Sequence, residues 1–349
     1  MTGIKVLFRL DAGPGKGLGH LQRCLSLASV LRIKGADCIF LSTHHQSVTD
    51  RVKSSGFGFH PLDDVEPGGE DDLRFTLDAA NSNRCRVVVV DFYDTDAGYL
   101  KRLRADGLFV AAIDDLAPYP FPCHLVINGG VGAGTLPYSS STGDTRFLLG
   151  PEYALLREEF WDSSPRAIGD EVQEVLVTMG GADGRDLTPT VLEVMESTDG
   201  DFGATVIVGP FFKALGEIEQ FAKRSRRRVN LVHSPVSVRD LMAGADLAIS
   251  AAGQTLYELA VTGTPAIAVQ VAENQADNIR WFGEHRVVCP IVFESRAQLM
   301  TDLADTLTLL LTAPERRRQS SRAGQSLLDG HGGRRVADFL LEAVSQALT

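Results

Sequence analysis

The feature that most constrains this chain is a series of short, unbroken apolar runs, plainest in the VVVVD of residues 87–91. A strand that is apolar at every position, not at alternate ones, needs cover on both faces. Helices packed on both sides of a parallel sheet supply it. Comparable runs occupy residues 4–10, 38–42 and 109–114, and again 175–179, 204–208, 229–233, 247–250 and 265–269, with helical spacing after each. Following the first run, Leu21, Cys24, Leu25, Ala28 and Leu31 recur at the period of a helix that Gly35 closes. The fold class is therefore α/β with parallel sheets.

Sustained over 349 residues, this alternation exceeds one core, because single cores stop growing at roughly 250–300 residues. Residues 116–161 are rich in Pro, Gly, Ser and Tyr and interrupt the alternation, which restarts near residue 175. We expect a Rossmann-like domain over 1–155, a second over 165–330, and a C-terminal helix over 331–349 that is free to pack back on the first domain. From residue 296 the pattern is helical, broken at Pro314 and at 330–333. Two doubly wound domains facing one another across a cleft bind ligands beyond the carboxyl ends of their strands.

Composition narrows the partners. A formal charge of −11 argues against a nucleic-acid surface, which needs a basic footprint. The basic clusters at 223–228 and 315–322 lie in polar, helix-like stretches and read as solvated faces. No apolar stretch approaches the ~18 residues of a membrane span. Residues 1–10 lack the apolar core of a secretion signal, so a cytoplasmic protein is expected. Five widely spaced cysteines without a C-x-x-C pair suit free buried thiols. His44-His45 has no partner at ligand spacing, and Asp94-Thr95-Asp96 follows a parallel strand, so neither metal nor cofactor is expected. Asp114-Asp115 closes a strand and reads as a cap or turn.

Three loops after strands carry the candidate chemistry. In GPGKGLGHLQRC, residues 13–24, the dinucleotide fingerprint fails because its third glycine slot falls on Leu18, His20 or Gln22. The P-loop pattern fails because Lys16 precedes Gly17. What remains is a side-chain-free turn at Gly17 and Gly19, where a ligand can approach the backbone and the first amides of the next helix. His20 sits at that helix start, where the dipole opposes a positive charge, so a neutral imidazole able to accept a proton is one reading and a capping or exposed histidine the other. Arg23, one turn on, could meet a phosphate, anchor the loop or lie on the surface.

In the second domain, Ala251-Ala252-Gly253-Gln254 leads into a helix near Thr255 whose amides at Gly253, Gln254 and Thr255 suit a diphosphate. Glu258 either completes a capping box with Thr255 or reaches a ribose diol. Asn274 and Gln275 could donate to sugar or phosphate or simply cap a helix. Gly180-Gly181 repeats, in the second domain, the position of the first loop.

These motifs together resemble one family. GLGHLQRCLSLA at 17–28, VDFY at 90–93, IDDLA at 113–117, GPEYALLR at 150–157, GGAD at 180–183, residues 250–258 and Asn274-Gln275 are similar, in order, to the UDP-sugar hydrolase of pseudaminic acid biosynthesis and its spore-coat-polysaccharide relatives. The resemblance implies the GT-B fold shared with the glycosyltransferase that makes lipid II. It also implies a metal-free, inverting hydrolysis of a UDP-sugar at the anomeric carbon. Carried over, His20 orients or deprotonates the attacking water and Tyr93 is a second catalytic-side residue. Gly253, Gln254 and Thr255 hold the diphosphate, Glu258 the ribose, and Asn274 and Gln275 the phosphates or sugar. A glycosyltransferase passing the sugar to a hydroxyl or amine acceptor is the alternative on the same frame. The chain departs from the family at Ala12-Gly13-Pro14-Gly15, Ala252-Gly253-Gln254 and Asn128-Gly129-Gly130, the last in the domain that receives the sugar.

Overall fold

The computed structural model describes residues 3–13, 18–63, 65–209, 212–235 and 237–347. Two compact units divide the chain: residues 1–158 with 330–349, and residues 159–329. The strands of the first unit are β1 (Lys5–Leu10), β2 (Asp37–Thr43), β3 (Gly58–Leu62), β4 (Val87–Asp91), β5 (Phe109–Ile113), β6 (Leu125–Asn128) and β7 (Arg146–Leu149). Helices α1 (Gly19–Ile33), α2 (Gln46–Ser54), α3 (Glu70–Ser82) and α4 (Ala97–Ala105) connect the first five. All pairings are parallel, and the sheet order is β3-β2-β1-β4-β5-β6-β7. Every residue of β4, β5 and β6 is buried, as strands with helices on both faces must be.

The second unit repeats the plan. Strands β8 (Glu174–Thr178), β9 (Gly203–Val208), β10 (Val229–His233), β11 (Leu247–Ala251), β12 (Ala266–Gln270) and β13 (Val288–Val292) form a parallel sheet in the order β10-β9-β8-β11-β12-β13. Helices α5 (Thr188–Ser197), α6 (Leu215–Arg224), α7 (Arg239–Gly244), α8 (Thr255–Thr262), α9 (Ala276–Glu284), α10 (Arg296–Thr312) and α11 (Pro314–Leu327) cover it. In both sheets the order reverses beside the first strand, between β1 and β4 and between β8 and β11. That is the switch point at which open α/β sheets take their ligands.

The final helix, α12 (Gly332–Ala347), belongs to the first unit and packs on α1. Its start lies so close to the chain at 153–154 that a β-carbon on Gly332 would sit 2.3 Å from the Ala154 carbonyl oxygen. A second tight contact fixes α8. There, a β-carbon on Gly324 of α11 would be 2.8 Å from the Ala260 carbonyl oxygen. Four strands lie outside the runs expected from sequence. β3 reads GFHPL, and its proline and half-exposed face hide it. β6 and β7 have four residues each and fall inside the Pro/Gly-rich stretch, while β13 carries Pro290.

Beneath the ends of β1 and β4 lies a fully buried ion cluster. The Arg9 guanidinium donates to both carboxylate oxygens of Asp72, at 2.8 and 2.6 Å, and to Asp11 at 2.9 Å. It also lies 4.2 Å from the Phe92 ring centroid. Asp72 further accepts from Gly68 N and the Tyr99 hydroxyl, so its lone pairs are satisfied. The partners Asp11 and Asp72 outweigh the cost of burying Arg9 and raise its pKa.

Gly324→Ala is expected to destabilise the second unit by about 1–3 kcal/mol, the range for overpacked contacts. Exposed Gly216→Ala, where nothing lies within 4 Å of the added carbon, should stabilise it by about 0.4–1 kcal/mol. Urea denaturation of both variants checks the pair. Arg9→Ala leaves two buried carboxylates uncompensated and should cost about 3–5 kcal/mol. Arg9→Met with Asp72→Leu should recover part of that loss in the same assay.

Candidate active site

In the first unit the candidate residues gather at the switch point. Helix α1 starts at Gly19, with Leu18 as an N-cap that makes no side-chain capping bond, so His20 lies in the first turn. Gly17 falls outside the described residues. The His20 side chain is largely buried, and its Nδ1 lies 3.2 Å from the Asp91 carbonyl oxygen and 3.7 Å from Asp91 Oδ1. A carbonyl oxygen can only accept, so Nδ1 is the donor in this contact and Nε2 is the ring nitrogen left outside it. Tyr93, an exposed residue in the loop after β4, stands edge-on to the imidazole with ring centroids 4.7 Å apart.

Arg23 is not a surface arginine. From its place one turn after His20, Nε and Nη2 meet the two carboxylate oxygens of Asp91 at 2.7 and 2.5 Å. Nη1 meets both oxygens of Asp115 at 2.9 and 2.7 Å. Of the openings left by the sequence, the anchoring one describes this geometry, and its guanidinium is engaged by carboxylates in place of a phosphate. Burial opposes the charge, yet Asp91 and then Asp115 raise the Arg23 pKa well above its usual value. Burial likewise opposes ionisation of Asp115, but Arg23 overcomes it and brings that carboxyl below its ordinary range. The Tyr93 hydroxyl donates to Asp115 Oδ2 at 3.2 Å. Desolvation and then the Asp115 charge push its pKa up to about 12. Cys24 donates to Asp91 at 3.3 Å, and burial followed by the Asp91 charge raises its thiol far above the usual value.

Sequence reasoning passed over Asp91 and treated Asp115 as a turn residue. Asp114 does fill the turn role: its carboxylate accepts from Leu116 N and Ala117 N and from the Tyr138 hydroxyl. A signal for the other two was present, since β1, β4 and β5 are neighbours and Asp91 pairs in register with Leu10. Acids ending adjacent buried strands beside a basic helix start must find a cation. His45 and Asp96, from the two motifs set aside as metal sites, sit at helix starts as N-caps. His45 accepts from Ser47 N at the start of α2, and Asp96 accepts from Tyr99 N at the start of α4.

In the second unit, the loops after β8 and β11 flank the switch point. Gly180 has φ +82°, a left-handed turn with nothing within 4 Å of an added β-carbon. Gly181 lies against Gly209, whose own β-carbon would fall 2.3 Å from the Gly181 carbonyl oxygen. Asp183 accepts from Leu187 N and Thr188 N and caps α5. Helix α8 opens at Thr255 with Gln254 as its N-cap, and no side chain makes the capping bond, so the Thr255–Glu258 box does not form. Glu258 is buried one turn in. Asn278 ties the loop down by donating to the Ala252 carbonyl at 3.0 Å while accepting from the Tyr257 hydroxyl at 3.1 Å. Gln275 accepts from Val271 N at 2.9 Å, and its amide nitrogen lies 3.9 Å from where a Gly253 β-carbon would stand. Asn274 is exposed on the short turn before α9. Thus Gln275 and Gly253 are neighbours at a helix start lined by backbone and amide groups. No group of three or more candidate metal ligands occurs among the described residues. No helix there is long and apolar enough to cross a membrane.

Comparison with known proteins fits this architecture. No family model matches the chain. It is 28% identical over 272 residues, 78% of the chain and 45% of the relative, to a Helicobacter pylori protein named pseudaminic acid cytidylyltransferase and UDP-2,4-diacetamido-2,4,6-trideoxy-beta-L-altropyranose hydrolase. It is 23% identical over 350 residues, 97% of the chain and 98% of the relative, to the spore coat polysaccharide biosynthesis protein SpsG of Bacillus subtilis. The chain spans about half the length of two of the curated relatives it matches, 57% and 45%. Among solved structures, Acinetobacter baumannii MurG superposes with a TM-score of 0.70 at 14% identity, covering 97% of this chain and 99% of that one. The chain is thus a sequence relative of the pseudaminic-acid UDP-sugar hydrolase and SpsG proteins, built on the two-domain, Rossmann-like GT-B fold.

Proposed function

We propose that the protein hydrolyses a nucleotide-sugar, with a UDP-sugar as the substrate class, at the anomeric carbon and with inversion. The observation that carries this reading is the His20 imidazole, whose Nδ1 is engaged by the Asp91 carbonyl at 3.2 Å so that Nε2 is the atom left to receive a proton. In the proposed step, Nε2 takes a proton from water as the water oxygen bonds to the anomeric carbon. The bond from that carbon to the diphosphate oxygen breaks, and UDP departs with the electron pair. Charge on the leaving group is offset by the amides and the dipole at the start of α8, with the Gln275 amide beside them. Glu258 is assigned to the ribose and Asn274 to the sugar or phosphates.

Tyr93 does not serve as a proton donor in this scheme. Its hydroxyl already donates to Asp115, and a pKa near 12 keeps it protonated throughout the working range. It forms a wall against which His20 and the sugar are placed.

A glycosyltransferase is the second reading, favoured by the structural likeness to MurG. It uses the same leaving-group site and the same base, with an acceptor hydroxyl or amine in place of water. Incubation with UDP-sugars and no acceptor separates the two. UDP release under these conditions supports hydrolysis, and release only after an acceptor mixture is added supports transfer.

His20→Ala is expected to lower turnover by at least about a hundredfold, the usual scale of general-base catalysis. Calorimetric UDP affinity should change less than about threefold, and a rate within threefold of wild type would rule out the base role. Tyr93 gives a pH prediction. Because its pKa is raised, it contributes no loss of activity on the alkaline side below about pH 11, and Tyr93→Phe should leave the shape of the pH–rate profile unchanged.

A further inference from the structure

We propose that Arg23 is a positioning residue that, by clamping Asp91 and Asp115 together, fixes both the tautomer of His20 and the placement of Tyr93. This rests on the reading of His20 as the base. One planar guanidinium spans four carboxylate oxygens: Asp91 at 2.7 and 2.5 Å and Asp115 at 2.9 and 2.7 Å. His20 and Arg23 share α1 at a spacing of three, so they lie on one face of the helix. Asp91 ends β4, and Asp115 follows β5. A single side chain therefore ties the helix that carries His20 to the ends of two neighbouring strands.

Fixing Asp91 matters because that residue offers His20 two acceptors. Its carboxylate is occupied on both oxygens by Arg23, with the Cys24 thiol adding a third contact at 3.3 Å. The backbone carbonyl is turned to His20 instead, at 3.2 Å against 3.7 Å for the nearer carboxylate oxygen. With Arg23 in place, the imidazole meets a neutral acceptor held by the strand itself, a far stiffer mount than a side chain free to rotate. At the other end of the clamp, Asp115 accepts from the Tyr93 hydroxyl at 3.2 Å, which holds that exposed ring at 78° to the imidazole. Lysine cannot reproduce this, because one ammonium cannot engage both carboxylates in a fork.

Nitrogen NMR of protein labelled with 15N-histidine tests the assignment without any substrate, with the His20 signals identified by their loss in His20→Asn. In the wild type at alkaline pH, His20 should show mainly the Nδ1–H tautomer. Arg23→Ala should shift it toward the Nε2–H form that free imidazole prefers, and guanidinium ion added to the variant should restore the original pattern. Arg23→Lys, which retains the charge if the alanine variant fails to fold, should show a mixed pattern. Arg51→Ala, removing a hydrogen bond to Gln22 on the same helix, should leave it unchanged. With a turned-over UDP-sugar, Arg23→Lys should lower kcat at least tenfold with KM within threefold. An Nε2–H tautomer in the wild type, or an Arg23→Lys protein indistinguishable from wild type in signals and rate, would overturn the proposal. A protein that shows the Arg23-dependent tautomer yet splits no UDP-sugar sinks the hydrolase reading alone.

Discussion

Carboxylates at the ends of buried parallel strands are costly unless a cation meets them, and the first unit is organised around that requirement. Asp11 ends the β1 path and Asp91 ends β4, both with almost no exposure. Each is met by an arginine that also collects a second acid from another element. Arg9 reaches Asp72 on α3, and Arg23 reaches Asp115 beyond β5. Breaking such a pair leaves a desolvated charge behind, whereas the intact pair is close to neutral in stability. The function of these clusters is better described as geometric: they set where α1, α3 and two loops stand relative to the sheet, and His20 is carried along.

The second unit solves a different problem with different means. Its switch point has glycines after β8 and β11, a helix start without a side-chain cap, and a glutamine whose carbonyl is pinned so that its amide nitrogen faces the loop. Fixed partial charges of this kind suit an anion that must later leave, because they bind without a full countercharge. In the proposed reaction the two units divide the chemistry: one would arrange a proton acceptor by means of buried ion pairs, and the other would offer backbone donors to a phosphate.

Much of this was legible in the sequence, for physical reasons. Unbroken runs such as VVVVD can only be doubly covered strands, and the helical spacing between them leaves little freedom of topology. Short edge strands were lost because four residues, or a proline as in β3 and β13, carry too little pattern to stand apart from a loop. In the site, His20 and Gly253, the glycine ahead of α8, stand out because helix starts after strands are few. The Arg23 bridge was hidden, since Arg23 and its partners are separated by 68 and 92 residues and meet only once the strand order is known. The supposed capping box at Thr255 illustrates the opposite error. Its residue spacing is right, but the helix begins one residue too early, at Thr255 itself, for the threonine to act as cap.

Because α12 returns to the first unit, that unit is assembled from two separate stretches of chain, 1–158 and 330–349, with the second unit inserted between them. The face of α1 that α12 covers stays open during synthesis until the whole insert has emerged. The insert, by contrast, is one continuous segment, residues 159–329. Helix α12 is therefore the closing piece of a sheet whose strands are made well before it. Loss of the final turns would harm the histidine-bearing unit and spare the one with the uncapped helix.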